Sequence, residues 1–177
     1  MKFIRKTLNI KKLNIKVNES LFLPFNRIKV RLKKEIVNLG VSKSDLNELG
    51  GKKVNPIEWK KLLTEKKSVI IDTRNKYEIS IGSFKDSINP NTNSFREFPK
   101  KFQELKISKN SRIGMFCTGG IRCEKASAYL KAQGYKNVFQ LDGGILNYFD
   151  NLKHTNKEEH WHGECFVFDD RVTVNKN

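Results

Sequence analysis

Hydrophobic and polar positions follow two rhythms along this chain. Residues 12–17 and 26–32 (Asn26-Arg27-Ile28-Lys29-Val30-Arg31-Leu32) put an apolar side chain at every second position, the period of a strand with one buried and one wet face. That spacing predicts two strands whose outer faces are Lys and Arg, with positions 27, 29 and 31 on one side. Residues 33–55, ending in Gly50-Gly51, read as a linker with some helical character.

A different rhythm begins at Asn55-Pro56. Asn can cap a helix and Pro can take its first position, so Ile57-Glu58-Trp59-Lys60-Lys61-Leu62-Leu63 is predicted helical. Ser68-Val69-Ile70-Ile71-Asp72-Thr73 is a short apolar run of the buried-strand kind. A helix over Phe95–Leu105, a second buried strand over 112–117, a helix over 123–133 ended by Gly134, and a third strand over 137–141 follow. Gly143-Gly144 then leads into a last helix through Tyr148-Phe149. Strands alternating with helices in this way predict an α/β fold with right-handed crossovers and a mainly parallel sheet covered on both faces. Reactive groups of such sheets gather at the carboxyl ends of the strands, where Asp72, Cys117 and Asp142 fall. The closing stretch Trp161–Val172 is too short for a domain and is expected to pack back on it.

Composition changes this picture in two ways. At 177 residues with 37% hydrophobic, the chain suits one domain with an appendage. Its net charge of +16 is uneven: residues 1–55 carry 14 Lys/Arg against 4 Asp/Glu, and residues 56–177 carry 21 against 15. The N-terminal third therefore favours a polyanion, with Arg27, Lys29, Arg31, Lys33 and Lys34, and also Lys11, Lys12 and Lys16, as the candidate nucleic-acid surface. The competing reading is a solvated lysine-rich face. Three cysteines, an odd number, without a signal-peptide pattern point to a reduced, cytoplasmic protein, and no apolar run approaches a membrane span. His154, His160 and His162 lack regular ligand spacing, so no metal is expected. Oligomeric state is not legible.

The chemistry concentrates in residues 112–123, Arg-Ile-Gly-Met-Phe-Cys-Thr-Gly-Gly-Ile-Arg-Cys. Cys117 ends a strand, Thr118, Gly119, Gly120, Ile121 and Arg122 form a tight loop, and a helix opens beyond. Loop amides and the positive helix end stabilise a thiolate or a bound anion. Two glycines permit the backbone to form such a cradle. A phosphate loop of cysteine phosphatases has the pattern Cys-x5-Arg, whereas only four residues separate Cys117 from Arg122. The tighter loop suits a terminal sulfur or small oxidised group on the cysteine, and phosphatase activity is disfavoured. Arg122 can hold the loop or face substrate, and in either role it lowers the thiol pKa. Cys123 can be a resolving thiol or a small packing residue. Asp72 and Arg74 read first as a structural ion pair or cap, and Phe95-Arg96-Glu97-Phe98 as a loop whose aromatics stack on an everted base.

The set Asp72-Thr73-Arg74, Glu78, Gly82, Cys117–Arg122 and Leu141-Asp142-Gly143-Gly144 resembles a rhodanese domain, whose loop cysteine carries a persulfide and whose Asp/Arg pair braces the loop. Cys117-Thr118-Gly119-Gly120-Ile121-Arg122-Cys123-Glu124-Lys125-Ala126-Ser127, with Asp72–Glu78 upstream and Gly163–Val172 downstream, more closely resembles the rhodanese-domain tRNA uridine hydroxylase family. The resemblance covers about Phe25 to Val174. It implies a rhodanese-like three-layer domain over 56–155, preceded by a basic β-containing segment over 1–55 and followed by an extension over 156–177. It further implies tRNA as partner, molecular oxygen as co-substrate, and conversion of the anticodon wobble uridine to 5-hydroxyuridine at Cys117. Members usually carry a complete ferredoxin-like N-terminal domain, of which Phe25-Asn26-Arg27 and Lys33–Val37 match the last part, and many extend past the position of Arg171 with further cysteines. The expectation is a shortened member. A persulfide-carrying sulfurtransferase and a non-catalytic basic RNA-binding adaptor are the alternative functions.

Overall fold

The computed structural model describes residues 2–7, 9, 20–27, 30–42, 50–152 and 160–175. Its elements in chain order begin with α1 (Lys2–Thr7), β1 (Lys52–Val54), α2 (Pro56–Thr64), β2 (Ser68–Asp72), α3 (Lys76–Ile79) and β3 (Gly82–Phe84). A 3-10 turn over Phe95–Glu97 leads into α4 (Phe98–Glu104), β4 (Arg112–Phe116), α5 (Ile121–Ala132), β5 (Asn137–Leu141) and α6 (Gly144–Leu152). Three short strands close the list: β6 (Trp161–Gly163), β7 (Cys165–Phe166) and β8 (Thr173–Val174).

The central sheet has the order β1-β5-β4-β2 and every pairing in it is parallel. Side chains alternate across each strand and so feed two separate cores. Ile71, Ile113, Met115 and Val138 point to one face and meet Phe98, Phe102, Ala126, Tyr129 and Leu130 of α4 and α5. Val54, Ile70, Phe116 and Leu141 point to the other and meet Trp59, Leu62, Ile145, Tyr148 and Phe149 of α2 and α6. This three-layer arrangement is the one the strand and helix rhythm predicted.

Helix ends follow local chemistry. Asn55 Oδ1 accepts from the Ile57 and Glu58 amides at 3.0 and 2.9 Å, and Glu58 Oε2 accepts from the Asn55 amide at 3.0 Å. At the far end of α5, Gly134 (φ +87°) closes a two-bond cap in which its amide donates to Lys131 O and the Tyr135 amide donates to Leu130 O.

Two expectations change. Residues 52–54, read as linker, are the edge strand β1, whose Val54 is buried while its two lysines face water. Three residues with one apolar side chain leave no legible period. The strand expected over 26–32 is absent at residues 26–27 and 30–32, where the backbone carries no ladder, and Ile28 and Lys29 lie outside the described residues. Val30 and Leu32 are 89% and 103% exposed, so alternation there has no face to bury against. The strand expected over 12–17 also lies outside the described residues.

The tail returns to the domain. β6 pairs antiparallel with β3, and Trp161 sits in the second core with its ring 5.1 Å from Phe84 and 5.4 Å from Phe149. Gly82 permits this pairing, since a Cβ there would lie 2.4 Å from Glu164 O. Among the described residues no helix is long and apolar enough to cross a membrane. Because Trp161 is buried against the rings of Phe84, Phe116 and Phe149, Trp161→Ala should lower stability by about 3–5 kcal/mol. Urea unfolding measures this; a loss below about 1 kcal/mol would show the tail to be a dispensable attachment.

Candidate active site

The register of the sheet builds the site. Asp72 pairs with Phe116, so the residues after β2 and after β4 leave the sheet side by side. Phe116 O accepts from both the amide and the hydroxyl of Thr73, at 3.0 and 2.9 Å, locking the two strand ends together. Cys117 follows at once, 2% exposed, and the Gly120 amide donates to its Sγ at 3.1 Å. Gly120 needs its φ of +90° to turn the chain back, a conformation that costs a glycine little.

The loop is held from behind by the start of α6. The Ile145 and Leu146 amides donate to Cys117 O and Thr118 O at 3.0 and 3.1 Å. Gly144 (φ +66°) makes that approach possible, because a Cβ there would lie 2.3 Å from Cys117 O. The far end of the loop is held by charge. Arg122 Nη1 and Nη2 donate to Glu78 Oε2 and Oε1 at 2.6 and 2.7 Å, with Glu78 fully buried. Glu78 Oε2 also accepts the Asn75 amide at 3.1 Å, so one carboxylate caps α3 and anchors the loop.

A second buried pair lies beneath. Arg74 donates through Nη2 to Asp72 Oδ2 at 2.6 Å and to Gly82 O at 2.7 Å, and Ser83 Oγ donates to Asp72 Oδ2 at 2.7 Å. The guanidinium carbon stands 5.3 Å from the Trp161 ring and 5.9 Å from the Phe116 ring. Asp72 and Arg74 thus join β2, β3 and the returning tail under the loop.

Three cysteines meet here with unequal acidity. The Cys117 thiol is pulled down to about 6, first by a hydrogen bond from Cys123, then by the Arg122 charge and the Cys123 and Arg122 amides, against the opposing effect of burial. Cys123 is pushed the other way, first by burial and then by the neighbouring thiolate. Its weak contact with Thr73 Oγ1, 3.5 Å, does not reverse this. Cys165 is pushed up to about 12 by burial, although it lies near enough to Arg74 and Thr118 to feel both. One thiol carries the charge and two remain neutral.

A family model described as rhodanese-like domain matches residues 55–151, more than half of the chain. The chain belongs to the rhodanese-like domain family. It is also 49% identical over 172 residues to the tRNA uridine(34) hydroxylase of Pelagibacter ubique (strain HTCC1062), covering 97% of this chain and 56% of that protein. The protein of the same name from Wolbachia pipientis wMel is 46% identical over 175 residues, covering 99% of this chain and 62% of that protein. The chain therefore spans less than two thirds of the length of these curated relatives. Among solved structures, the Alr3790 protein of Anabaena sp. shares the fold at 16% identity and a TM-score of 0.50, covering 62% of this chain and 91% of that one.

The residues singled out from sequence divide into two groups. Cys117 through Cys123, Asp72 and Arg74 come together around the rhodanese loop, and Arg122 takes the loop-holding role of its two possibilities. Arg27, Arg31, Lys33 and Lys34 lie exposed on the N-terminal segment, and Lys29, Lys11, Lys12, Lys16 and His154 lie outside the described residues. Lys33 and Lys34 line a cavity of about 480 Å³ with Glu35, Ile36, Asn38 and Arg96. That segment is tied to the loop helix, since Lys125 of α5 pairs with Glu35 at 3.0 Å and donates to Val37 O at 2.7 Å. Phe95 and Phe98 are buried in the same core as Cys117, so neither can stack on a base as expected. Sequence reading left the partner of Arg122 unassigned and could not place Cys165. Glu78 three residues after Asn75 is the capping-box spacing that could have signalled a turned-in carboxylate.

The acidity of Cys117 gives a direct test. The ultraviolet absorbance of thiolate, taken as wild type minus Cys117→Ser across pH, should rise with a midpoint of about 6. As an acid held below its ordinary pKa, Cys117 is charged above that midpoint and neutral below it. Glu78→Gln, which frees Arg122 from its anchor, should shift the midpoint or broaden the step. A wild-type midpoint near 9 would overturn the assignment of the thiolate to Cys117.

Proposed function

We propose that this chain hydroxylates the wobble uridine of the tRNA anticodon to 5-hydroxyuridine, with molecular oxygen as co-substrate and Cys117 as the reactive thiol. One observation carries the reading: the thiol poised as a thiolate belongs to a chain 49% identical, over 97% of its length, to a protein named tRNA uridine(34) hydroxylase. The loop residues Thr118 to Arg122 present the sulfur, Asp72 and Arg74 brace the loop, and Cys123 lends its proton as a hydrogen bond to the thiolate. In this reading Arg27, Lys29, Arg31, Lys33 and Lys34 contact tRNA phosphates, and the high positive charge of residues 1–55 supports them. Arg96 extends that surface, since it shares a cavity with Lys33 and Lys34. The work is done in the cytoplasm, where tRNA is.

A second reading has one observation in its favour. Membership of the rhodanese-like domain family together with a thiol of lowered pKa supports transfer of sulfane sulfur through a Cys117 persulfide. Mass spectrometry of tRNA nucleosides separates the two. A strain lacking the gene should lose 5-hydroxyuridine and its derivatives, regain them with the wild-type gene, and fail to regain them with Cys117→Ser. Unchanged 5-hydroxyuridine in the deletion strain would overturn the hydroxylase. Thiocyanate release from thiosulfate and cyanide, lost in Cys117→Ser, would then favour the sulfurtransferase.

A further inference from the structure

The mouth of the loop carries aromatic surface that neither core explains. Phe168 follows β7, is 66% exposed, and belongs to neither hydrophobic cluster. Its ring centroid stands 6.0 Å from the Arg122 guanidinium carbon. Phe166 meets it edge-on at 5.1 Å, and meets Tyr77 edge-on at 5.5 Å. Tyr77 is 45% exposed and directly precedes Glu78, the carboxylate that holds Arg122. Rings from two segments far apart in sequence therefore form one run of edge-to-face contacts that ends beside a cation of the thiol loop.

A single exposed Phe needs no explanation. Phe168, set beside a loop arginine, is locked edge to face on Phe166, which is locked edge to face on Tyr77, so an exposed ring is held in place beside polar loop groups. A ligand suited to it is planar on its faces and polar at its edge. A nucleobase has that shape, and a chain of net charge +16 favours a base delivered on a polyanion over an aromatic peptide side chain. Phe95 and Phe98 are buried in the first core and do not compete for this role.

We propose that Phe168, buttressed by Phe166 and Tyr77, is the stacking platform that receives the unstacked target base of an RNA beside the Cys117 loop. The identity of the RNA rests on the tRNA reading above; the platform itself does not require the hydroxylation step. Base–aromatic stacking removed by alanine costs about 5- to 150-fold in affinity.

The test compares two synthetic anticodon stem-loops, one with uridine at the wobble position and one abasic there, titrated against the full chain. Wild type should bind the uridine RNA about tenfold tighter than the abasic one. Phe168→Ala and Phe168→Leu should erase that preference, Phe168→Tyr should keep it, and the melting temperature of Phe168→Ala should match wild type because the ring is largely in solvent. Equal binding of the two RNAs by wild type, or a preference that survives in Phe168→Ala, would overturn the platform. 5-Hydroxyuridine formation in the same RNA is read separately. A Phe168-dependent preference without product sinks the hydroxylase and leaves the platform standing, whereas product without a preference sinks the platform alone.

Discussion

The fork between Arg122 and Glu78 is the interaction on which the site depends. Both side chains are almost wholly out of water, so each charge requires the other, and removing one partner of such a pair typically costs about 3–5 kcal/mol. The pair fixes the loop end to α3, and it also decides how the thiol is stabilised. Glu78 cancels most of the Arg122 charge, and Asp72 cancels that of Arg74 beneath. With both cations matched, short-range donors matter most to the sulfur, which agrees with the Cys123 hydrogen bond being the largest influence on Cys117 and the Arg122 charge a lesser one. A buried arginine without a counter-ion would attract the thiolate more strongly, at the expense of an unpaired charge in the core.

Four segments hold the loop. Thr73 fixes its entry, the α6 amides hold its carbonyls, Glu78 fixes its exit, and the returning tail places Cys165 beside Thr118. The glycines serve close approach as well as turning. Gly144 lets a helix start press against the loop from behind, and Gly82 lets β3 accept β6. Because the tail strand pairs with a strand roughly eighty residues earlier, the site closes only when the whole domain has folded.

What was readable in the sequence had local causes. The strands at 68–72 and 112–116 centre on the runs Val69-Ile70-Ile71 and Ile113-Gly114-Met115-Phe116, the strand at 137–141 on Val138, Phe139 and Leu141, and the helix at 56–64 announces itself through Asn55, Pro56 and Glu58. The Cys117 loop was legible because its glycines and spacing are contiguous. What was not readable depends on partners distant in sequence. β1 is a strand because β5 pairs with it, while its own three residues are mostly lysine. The alternation at 26–32 imitates a strand, yet Leu32 stands in water. The stretch around Phe95 and Phe98 shows the opposite error, since aromatics placed near the loop by chain order are turned inward by the start of α4, and Phe166 and Phe168 arrive at the mouth from the other end of the chain.

This exchange of aromatics bears on how a base would be chosen. A stacking face holds any base, because every base has a π surface, so the proposed Phe168 platform would contribute affinity with little discrimination. In the proposed function the exposed Arg27, Arg31, Lys33 and Lys34 would contribute salt-sensitive grip and no base identity. Discrimination is left to polar groups that can meet a base edge, and at the mouth these belong to the loop itself, with the Thr118 hydroxyl only 3.5 Å from Arg122 Nη2. A loop that stabilises a thiolate and, in the proposed function, also reads a base could not yield to accommodate either. The ion pair at its exit, the helix start behind it and the strand ends at its entry are the means by which this chain keeps it from yielding.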